Sequence, residues 1–173
     1  TNFFKQFNVR LFRAEKIDTH GGSIRVYISK DKNKKIERNI KDLNEKEEKF
    51  GIKKFKTYQN FGKKVYEIRK NVVKNINNLK KNNDSIIGYG APAKATTALN
   101  FFGISKQIDY IIEDNKLKHK KFIPGVKIPI YSKNRISKKK PLILVLAWNF
   151  FDFIKKSNKG LAKKFISFKE LQK

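Results

Sequence analysis

The chain has 173 residues, of which 39% are hydrophobic and 13% aromatic, enough for one domain of ordinary size and a smaller appendage. It contains no cysteine, which excludes disulfides, thiolate metal sites and cysteine nucleophiles, and its two histidines are too far apart to suggest a metal pair. No apolar run approaches the roughly 20 residues of a membrane span, so we expect no membrane partner. The absence of disulfides leads us to expect a cytoplasmic protein.

The net charge of +27 first suggests a nucleic-acid partner. Three observations argue against it: lysine greatly outnumbers arginine, the lysines are spread along the chain, and no known DNA- or RNA-binding motif is visible. We therefore expect no specific nucleic-acid partner. Because the chain starts at Thr1 and contains no methionine, we also expect it to be a fragment of a longer protein.

Residues 1–30 are predicted to form two antiparallel strands. Apolar and polar residues alternate over 9–14 and over 23–28, and the residues between them, 18–22, are turn formers. Since two strands alone are marginally stable in water, we expect this segment to belong to a larger sheet that lies mostly upstream of Thr1.

Residues 31–56 are predicted to be a charged linker containing a short helix that ends at Gly51. A longer helix is predicted over 58–81, with Thr57 as its N-cap and Asn82-Asn83-Asp84 at its end. Apolar residues at steps of three and four predict one buried face. They are Phe61, Val65, Ile68, Val72, Ile76 and Leu79.

From Ser85 onward, short apolar strands alternate with helices. The predicted strands and extended segments are 86–90, 108–112, 127–130, 142–146 and 165–166, and the helices are 92–102 and 149–162. Apolar strands in this alternation indicate a parallel sheet covered on both faces. The predicted fold class is α/β, a Rossmann-like, mainly parallel sheet with flanking helices, preceded by a β-hairpin remnant and a helical connector.

A glycine-rich loop joins the first of these strands to its helix, with the sequence Gly88-Tyr89-Gly90-Ala91-Pro92-Ala93-Lys94. Glycines let a backbone approach the phosphates of a ligand, and the free N–H groups of a helix start attract anions. The spacing of Gly88, Gly90 and Ala93 satisfies the degenerate dinucleotide fingerprint, and Lys94 lies within reach of a phosphate. A tight turn with a purely structural role is the alternative.

Two further groups of candidate residues follow later strands. Glu113-Asp114-Asn115 lies roughly 20 residues after the glycines, where dinucleotide folds place a carboxylate that binds a ribose hydroxyl, and Glu113 is the first candidate. Trp148 and Asn149 follow the strand 142–146, where the indole is positioned to stack on a base and Asn149 to cap the next helix. A polar strand end and a core tryptophan are the alternatives.

His20 and Arg25 are candidate substrate-cleft residues in the hairpin. His20 precedes two glycines in the predicted turn, and the guanidinium of Arg25 is a natural partner for a diphosphate. A structural role for His20 is the alternative. His119 lies in a lysine-rich loop, where we expect it to be solvated.

Three blocks of this sequence together resemble the C-terminal region of the nucleotide-sugar C-methyltransferase family. The first is Thr19-His20-Gly21-Gly22-Ser23-Ile24-Arg25-Val26-Tyr27, and the second is the glycine-rich loop with Leu99-Asn100 and Gly103-Ile104. The third runs from Pro124-Gly125 through Ile128-Pro129-Ile130 to Leu144-Val145-Leu146-Ala147-Trp148-Asn149-Phe150. The chain departs from the family pattern in having Glu113 for aspartate, Lys116 for proline and Lys120 for glycine.

The resemblance implies a parent enzyme with an N-terminal zinc module, a central domain that binds S-adenosylmethionine, and a C-terminal Rossmann-like domain. Residues 1–30 would then be the closing strands of the central domain, 31–56 a charged linker and short helix, and 57–173 the substrate-binding C-terminal domain. The zinc ligands, donor site and catalytic residues would all lie upstream. We therefore expect neither a metal site nor a catalytic residue here, and no activity from this chain alone.

The implied reaction is methyl transfer to a carbon of a nucleoside-diphosphate keto-deoxysugar, with this chain binding the nucleotide part. Two other functions stay open at this point. One is a Rossmann module for NAD(P) or coenzyme A in another enzyme, which the same glycines would serve. The other is a basic nucleic-acid-binding protein.

Overall fold

The computed structural model describes residues 2–19, 21–82 and 85–173, and the chain divides into two compact units, 1–62 and 63–173. The first unit contains a short helix, a two-stranded antiparallel hairpin and a longer helix. They are α1 (Asn2–Lys5), β1 (Arg10–Ile17), β2 (Ser23–Ser29) and α2 (Arg38–Phe50). The predicted hairpin is thus observed, with an irregularity between Leu11 and Arg13 that shifts the register of β1.

Helix α2 ends where the sequence predicts. Gly51 has a φ of 79° and its N–H donates to the carbonyls of Glu47 and Glu48, a conformation that glycine adopts without steric cost. In the hairpin, one side of β2 stays open: Ile24, Val26 and Ile28 are each about half exposed. The alternating pattern thus predicted the strands correctly, although three apolar residues of β2 are not covered.

Helix α3 (Phe55–Lys81) starts in the first unit and ends in the second. The prediction that Thr57 is its N-cap is wrong, because the helix begins two residues earlier and the Thr57 hydroxyl instead donates to the carbonyl of Gly51 at 2.8 Å. The predicted apolar face is buried only towards its C-terminal half, where Val72 and Ile76 are inaccessible, whereas Phe61 is 67% exposed.

The second unit is built on a five-stranded parallel sheet, which confirms the predicted α/β class. Its strands are β3 (Ile86–Tyr89), β4 (Ile111–Ile112), β5 (Ile130–Tyr131), β6 (Leu142–Val145) and β7 (Lys164–Ile166). Their order across the sheet is β5-β4-β3-β6-β7, so the chain builds outward from β3 in one direction and then returns to build outward in the other. This is the order of the doubly wound nucleotide-binding sheets.

The helices that follow β3, β6 and β7 are α4 (Ala93–Phe102), α5 (Phe151–Ser157) and α6 (Phe168–Leu171). Predicted boundaries are wrong in two elements. The strand expected over 108–112 is confined to Ile111–Ile112, and a 3-10 turn over Ser105–Gln107 precedes it. The helix expected over 149–162 begins at Phe151, after another 3-10 turn, and ends at Ser157. Helix α6 was not predicted, although Ser167 and Glu170 form a capping box at its start.

Alternate residues of the strands face two separate cores. One core packs against α3, α4 and α6 and includes Ile86, Leu144 and Leu99. The other packs against α5 and includes Ile87, Tyr89 and Ile154. Because both faces of the sheet are covered, its central strands are buried along their length and their ends are available for polar chemistry.

A loop between β4 and β5 is fastened to α4 by a close contact at Gly125. This glycine has a φ of 81°, and a Cβ placed on it would overlap the side-chain amide of Asn100. The same amide donates to the carbonyls of Thr96 and Pro124, at 2.8 and 3.0 Å. Asn100 and Gly125 therefore lock the loop onto the helix that follows the glycine-rich turn.

This lock predicts a difference between two otherwise matched glycine substitutions. Gly160 has a φ of 83° but open space around the position of its missing Cβ. Gly160→Ala should therefore add backbone strain alone, whereas Gly125→Ala should lose about 1 to 3 kcal/mol more because the Asn100 amide is displaced. Urea unfolding of both variants measures the difference, and equal losses would show that Asn100 yields freely.

Candidate functional site

The polar ends of the strands gather at the carboxyl edge of the sheet, beside β3 and β6. These two strands are neighbours, with Tyr89 opposite Val145, but the connections that leave them run to opposite sides of the sheet. Loops that diverge in this way leave a crevice, the place where open α/β sheets bind ligands. The glycine-rich loop after β3 and the Ala147–Asn149 segment after β6 form this switch point.

Both glycines of the loop make room for neighbouring groups of the protein itself. A Cβ on Gly88 would lie 2.8 Å from side-chain atoms of Ile111 and Leu146, so this position is part of the core. Gly90 has a φ of 89°, and a Cβ there would lie 2.9 Å from the Cβ of Ala147. Gly88 thus serves core packing and Gly90 the close approach of the two loops of the switch point, so both have the structural role that was the alternative to ligand binding.

Glu113 fastens the glycine-rich loop to the end of β4. Its carboxylate accepts from the N–H of Ala91 at 2.8 Å and from the N–H of Asn115 at 3.1 Å, while the ammonium of Lys118 lies 3.5 Å away. The same ammonium donates to the carbonyl of Ala91 at 2.9 Å. A clamp of one carboxylate and one lysine therefore holds both polar groups of the Ala91 backbone.

The surroundings of Glu113 keep it ionised. Burial raises the pKa of Glu113, but the N–H groups of Asn115 and Ala91 and the ammonium of Lys118 outweigh burial and bring that pKa below its ordinary value.

The Asn115 side chain accepts from the N–H of Leu117 and caps a 3-10 turn. His119, expected to be solvated, contacts the Glu113 carbonyl through Nε2 at 2.7 Å.

Tyr89 points away from the loop, into the core beside α5. It is 3% exposed, and its hydroxyl donates to Asp114 at 2.9 Å and lies 3.4 Å from the amide oxygen of Asn158. The ammonium of Lys133 is 2.9 Å from the Asp114 carboxylate. Burial raises the pKa of Tyr89. Burial also raises the pKa of Asp114, but the hydrogen bonds from Lys133 and Tyr89 outweigh this effect and bring that pKa below its ordinary value.

Lys94 and Trp148 meet across the switch point. Lys94 lies in the first turn of α4, and its ammonium is 4.8 Å from the centre of the Trp148 ring. Such a distance is typical of a cation–π contact. Trp148 is half-buried and also packs edge-to-face on Phe168. Asn149 is exposed and does not cap α5, whose N-cap is Phe150, so that part of the prediction is wrong.

Three lysines at this edge differ in their partners. Lys118 faces Glu113 and Lys133 faces Asp114, whereas among the described residues no ion pair includes Lys94. Sequence reasoning selected Lys94 because it follows the glycines. It missed Lys118, Lys133 and Asn158, because in a chain so rich in lysine and asparagine nothing local distinguishes them.

The remaining predicted residues lie in the other unit or outside the description. Arg25 is in β2, opposite Glu15 in the hairpin register, and His20 lies outside the described residues. Over residues 2–19, 21–82 and 85–173 no group of three histidine, cysteine or acidic side chains is placed to hold a metal ion. In the same part of the chain, no helix combines the length and apolar character that crossing a membrane requires.

Comparison with known proteins assigns the chain to a family. Residues 18–168 match the family described as C-methyltransferase C-terminal domain. The chain is also similar to a protein from Streptomyces niveus named C-methyltransferase NovU, with 27% identity over 150 residues. That alignment covers 85% of this chain but 36% of the relative, so the chain spans about a third of the length of the protein it matches.

The Glu113 clamp generates a stability prediction. In Glu113→Gln, one of the two carboxylate oxygens becomes an NH₂ group that faces donors, so we expect a loss of about 1 to 3 kcal/mol at neutral pH. Glu67→Gln on the exposed surface of α3 is the control, and should change stability by no more than about 0.5 kcal/mol. Chemical unfolding at pH 7 compares the two variants with the parent chain.

The same pair of chains should differ in pH dependence. The folded-state pKa of Glu113 is lowered, so its stabilising contribution is complete above the unfolded value of about 4.3 and disappears as the pH falls through the folded value. The stability gap between parent and Glu113→Gln should therefore be constant near neutrality and narrow below roughly pH 4. A gap that persists unchanged to pH 3 would contradict an ionised clamp.

Proposed function

The chain belongs to the C-methyltransferase C-terminal domain family, and we propose that it binds and positions the nucleotide part of a nucleoside-diphosphate keto-deoxysugar in a longer enzyme. The observation that carries this proposal is the unpaired cation at the switch point. Lys94 stands at a helix start between the loops after β3 and β6, without a carboxylate partner among the described residues. An anionic ligand is the natural partner for such a group.

Backbone donors beside Lys94 support the same ligand. The N–H of Gly90 donates to Ile112 and that of Ala91 to Glu113, so neither is free for a phosphate. Among the hydrogen bonds of the described residues, none occupies the N–H groups of Ala93 and Lys94, the first two of α4. We therefore place the diphosphate at these two amides and the Lys94 ammonium, rather than on the glycines.

The methyl donor fits this site poorly, and we propose that it is bound upstream. S-adenosylmethionine carries a positive sulfonium and no diphosphate, and its one anionic group is the carboxylate of the methionine part. It therefore suits an ammonium and two amide donors less well than a nucleoside diphosphate does. In the parent enzyme the donor supplies the methyl group. We assign its site, the base that removes the proton beside the keto group, and the zinc ligands to segments outside this chain, which alone would be inactive.

The contribution of this domain to the reaction is orientation. Holding the diphosphate and the nucleobase fixes the sugar in front of the residue that removes the proton, which is held elsewhere. The enolate carbon formed on the sugar then faces the methyl group of the donor. Glu113, which holds the loop, and Asn115, whose N–H donates to Glu113, then act as positioning residues. We propose in addition that 1–30 closes the upstream domain, with Arg25 and His20 near the substrate, and that 57–173 is the substrate-binding domain.

The open side of β2 supports this domain assignment. Ile24, Val26 and Ile28 form an apolar row that is about half exposed in this chain, as expected for a hairpin whose apolar face is covered by another part of a longer protein. We also propose a cytoplasmic location, which the lack of cysteine favours.

One alternative retains support from the fold. The strand order and the carboxylate after β4 also suit a dinucleotide such as NAD, whose ribose hydroxyls a residue like Glu113 would bind. The Glu113 carboxylate already accepts from Ala91 and Asn115, which weakens this alternative without removing its remaining lone pairs.

A calorimetric panel on this chain separates these functions. We expect thymidine diphosphate to bind, because it supplies both a diphosphate and a base, and S-adenosylmethionine to give no heat of binding. NAD and coenzyme A complete the panel. Tight binding of NAD or coenzyme A in preference to thymidine diphosphate would favour the alternative, and binding of the donor without any nucleotide would overturn the proposal.

The contribution of Lys94 to nucleotide binding can be tested by substitution. Lys94→Ala should weaken binding of thymidine diphosphate by about 1 to 3 kcal/mol, the scale of a charge-assisted hydrogen bond, and Lys94→Arg should retain part of it. Lys74→Ala, on the exposed side of α3, is the matched control and should have little effect at physiological salt. Equal losses from both alanine variants would mean that the ligand senses only the net charge of +27.

A further inference from the structure

The contact between Lys94 and Trp148 occupies both groups that a nucleotide would use. While the ammonium lies 4.8 Å from the ring centre, it covers a face of the indole and is itself held by the ring. A base cannot stack on a covered face. The pair as observed is therefore a closed arrangement of the site.

We propose that the Lys94–Trp148 pair is a ligand-responsive latch. Phosphate oxygens at the start of α4 draw the Lys94 ammonium off the ring, and the base of the same ligand then stacks on the uncovered indole. This inference rests on the proposed function, since it takes the ligand to be a nucleoside diphosphate. It adds a rule for ligand specificity. A phosphate is needed to move Lys94 and a flat ring to stack on the uncovered indole, so one molecule must carry both.

The surroundings of each partner decide which one moves. Trp148 packs edge-to-face on Phe168, with ring centres 5.7 Å apart, and Phe168 is 6% exposed and stacks on Phe102 at 5.4 Å. The indole is thus supported by a row of aromatic rings that reaches α4. Lys94 is exposed and carries its charge on a flexible four-carbon chain, so it can leave the ring without disturbing the core.

The other two lysines of this edge are unsuited to the same role. Lys118 is held by the Ala91 carbonyl and Glu113, and Lys133 by Asp114. Moving either would leave a carboxylate without its cation. When Lys94 moves, it leaves only an uncovered aromatic face, on which a nucleobase takes the place of the ammonium.

The chain carries its own reporter for this latch, because Trp148 is its only tryptophan. Loss of the cation in ligand-free Lys94→Ala should change the emission of Trp148, whereas Lys74→Ala should not. The full chain is then titrated with thymidine diphosphate and with thymidine, which lacks the phosphates. Relative to the parent, Lys94→Ala should bind the diphosphate about five-fold or more weakly. It should bind thymidine about two- to five-fold more tightly, because the nucleoside no longer displaces a cation.

Opposite signs for the two ligands are the signature of the latch, since a merely structural or diffuse electrostatic role for Lys94 would weaken binding or leave it unchanged. A second variant tests the other partner: Trp148→Leu should lose about five-fold or more in affinity for thymidine diphosphate by calorimetry and retain affinity for inorganic pyrophosphate. Circular dichroism verifies that both variants are folded.

The outcomes separate the latch from the function on which it rests. If the parent binds thymidine diphosphate and Lys94→Ala weakens it, but thymidine gains nothing and the emission of the free variant is unchanged, the latch is overturned and the nucleotide site remains. If the parent binds neither ligand, the nucleotide site itself is overturned and the latch with it.

Discussion

The arrangement of the candidate site depends on the close approach of two loops at one glycine. A Cβ on Gly90 would lie 2.9 Å from the Cβ of Ala147, and the φ of 89° at this residue already disfavours a side chain. This approach lets the segment after β6 lie against the loop after β3. It thereby sets Trp148 beside the first turn of α4, where Lys94 reaches it. A bulkier residue at position 90 would separate the loops before any ligand arrived.

A second constraint keeps the loop after β3 in place without using up the site. Glu113 and Lys118 hold the N–H and the carbonyl of Ala91, so the backbone leading into α4 is fixed from the side of β4. Their charges neutralise each other, as do those of Lys133 and Asp114 on the other side of the sheet. Among the ion pairs of the described residues Lys94 has no carboxylate partner, so its charge is not neutralised in the way that those of Lys118 and Lys133 are.

Much of the fold could be predicted from the sequence, because the patterns that indicate strands, helices and helix ends are local. Apolar runs bounded by glycines mark the strands, the alternation with helices indicates a parallel sheet, and Gly51 ends α2 as a left-handed cap should. The boundaries at Thr57 and Asn149 were wrong for a related reason: a capping residue type is common, and whether it caps depends on where the next hydrogen bonds form. Strand β4 is shorter than predicted and follows a 3-10 turn over Ser105–Gln107, which its apolar residues do not reveal.

The sequence by itself determined the fold class, the family resemblance and the position of a glycine-rich loop between a strand and a helix. Only the tertiary structure decided what those residues contact. Tyr89 and Lys94 lie five residues apart in the same motif, yet the first is buried beside α5 and the second meets Trp148, which lies 54 positions further along the chain. Successive side chains of β3 point to opposite faces of the sheet. The strand order determines which distant segment lies next to each of them. Strand order arises from packing between segments remote in sequence, and no local pattern contains it.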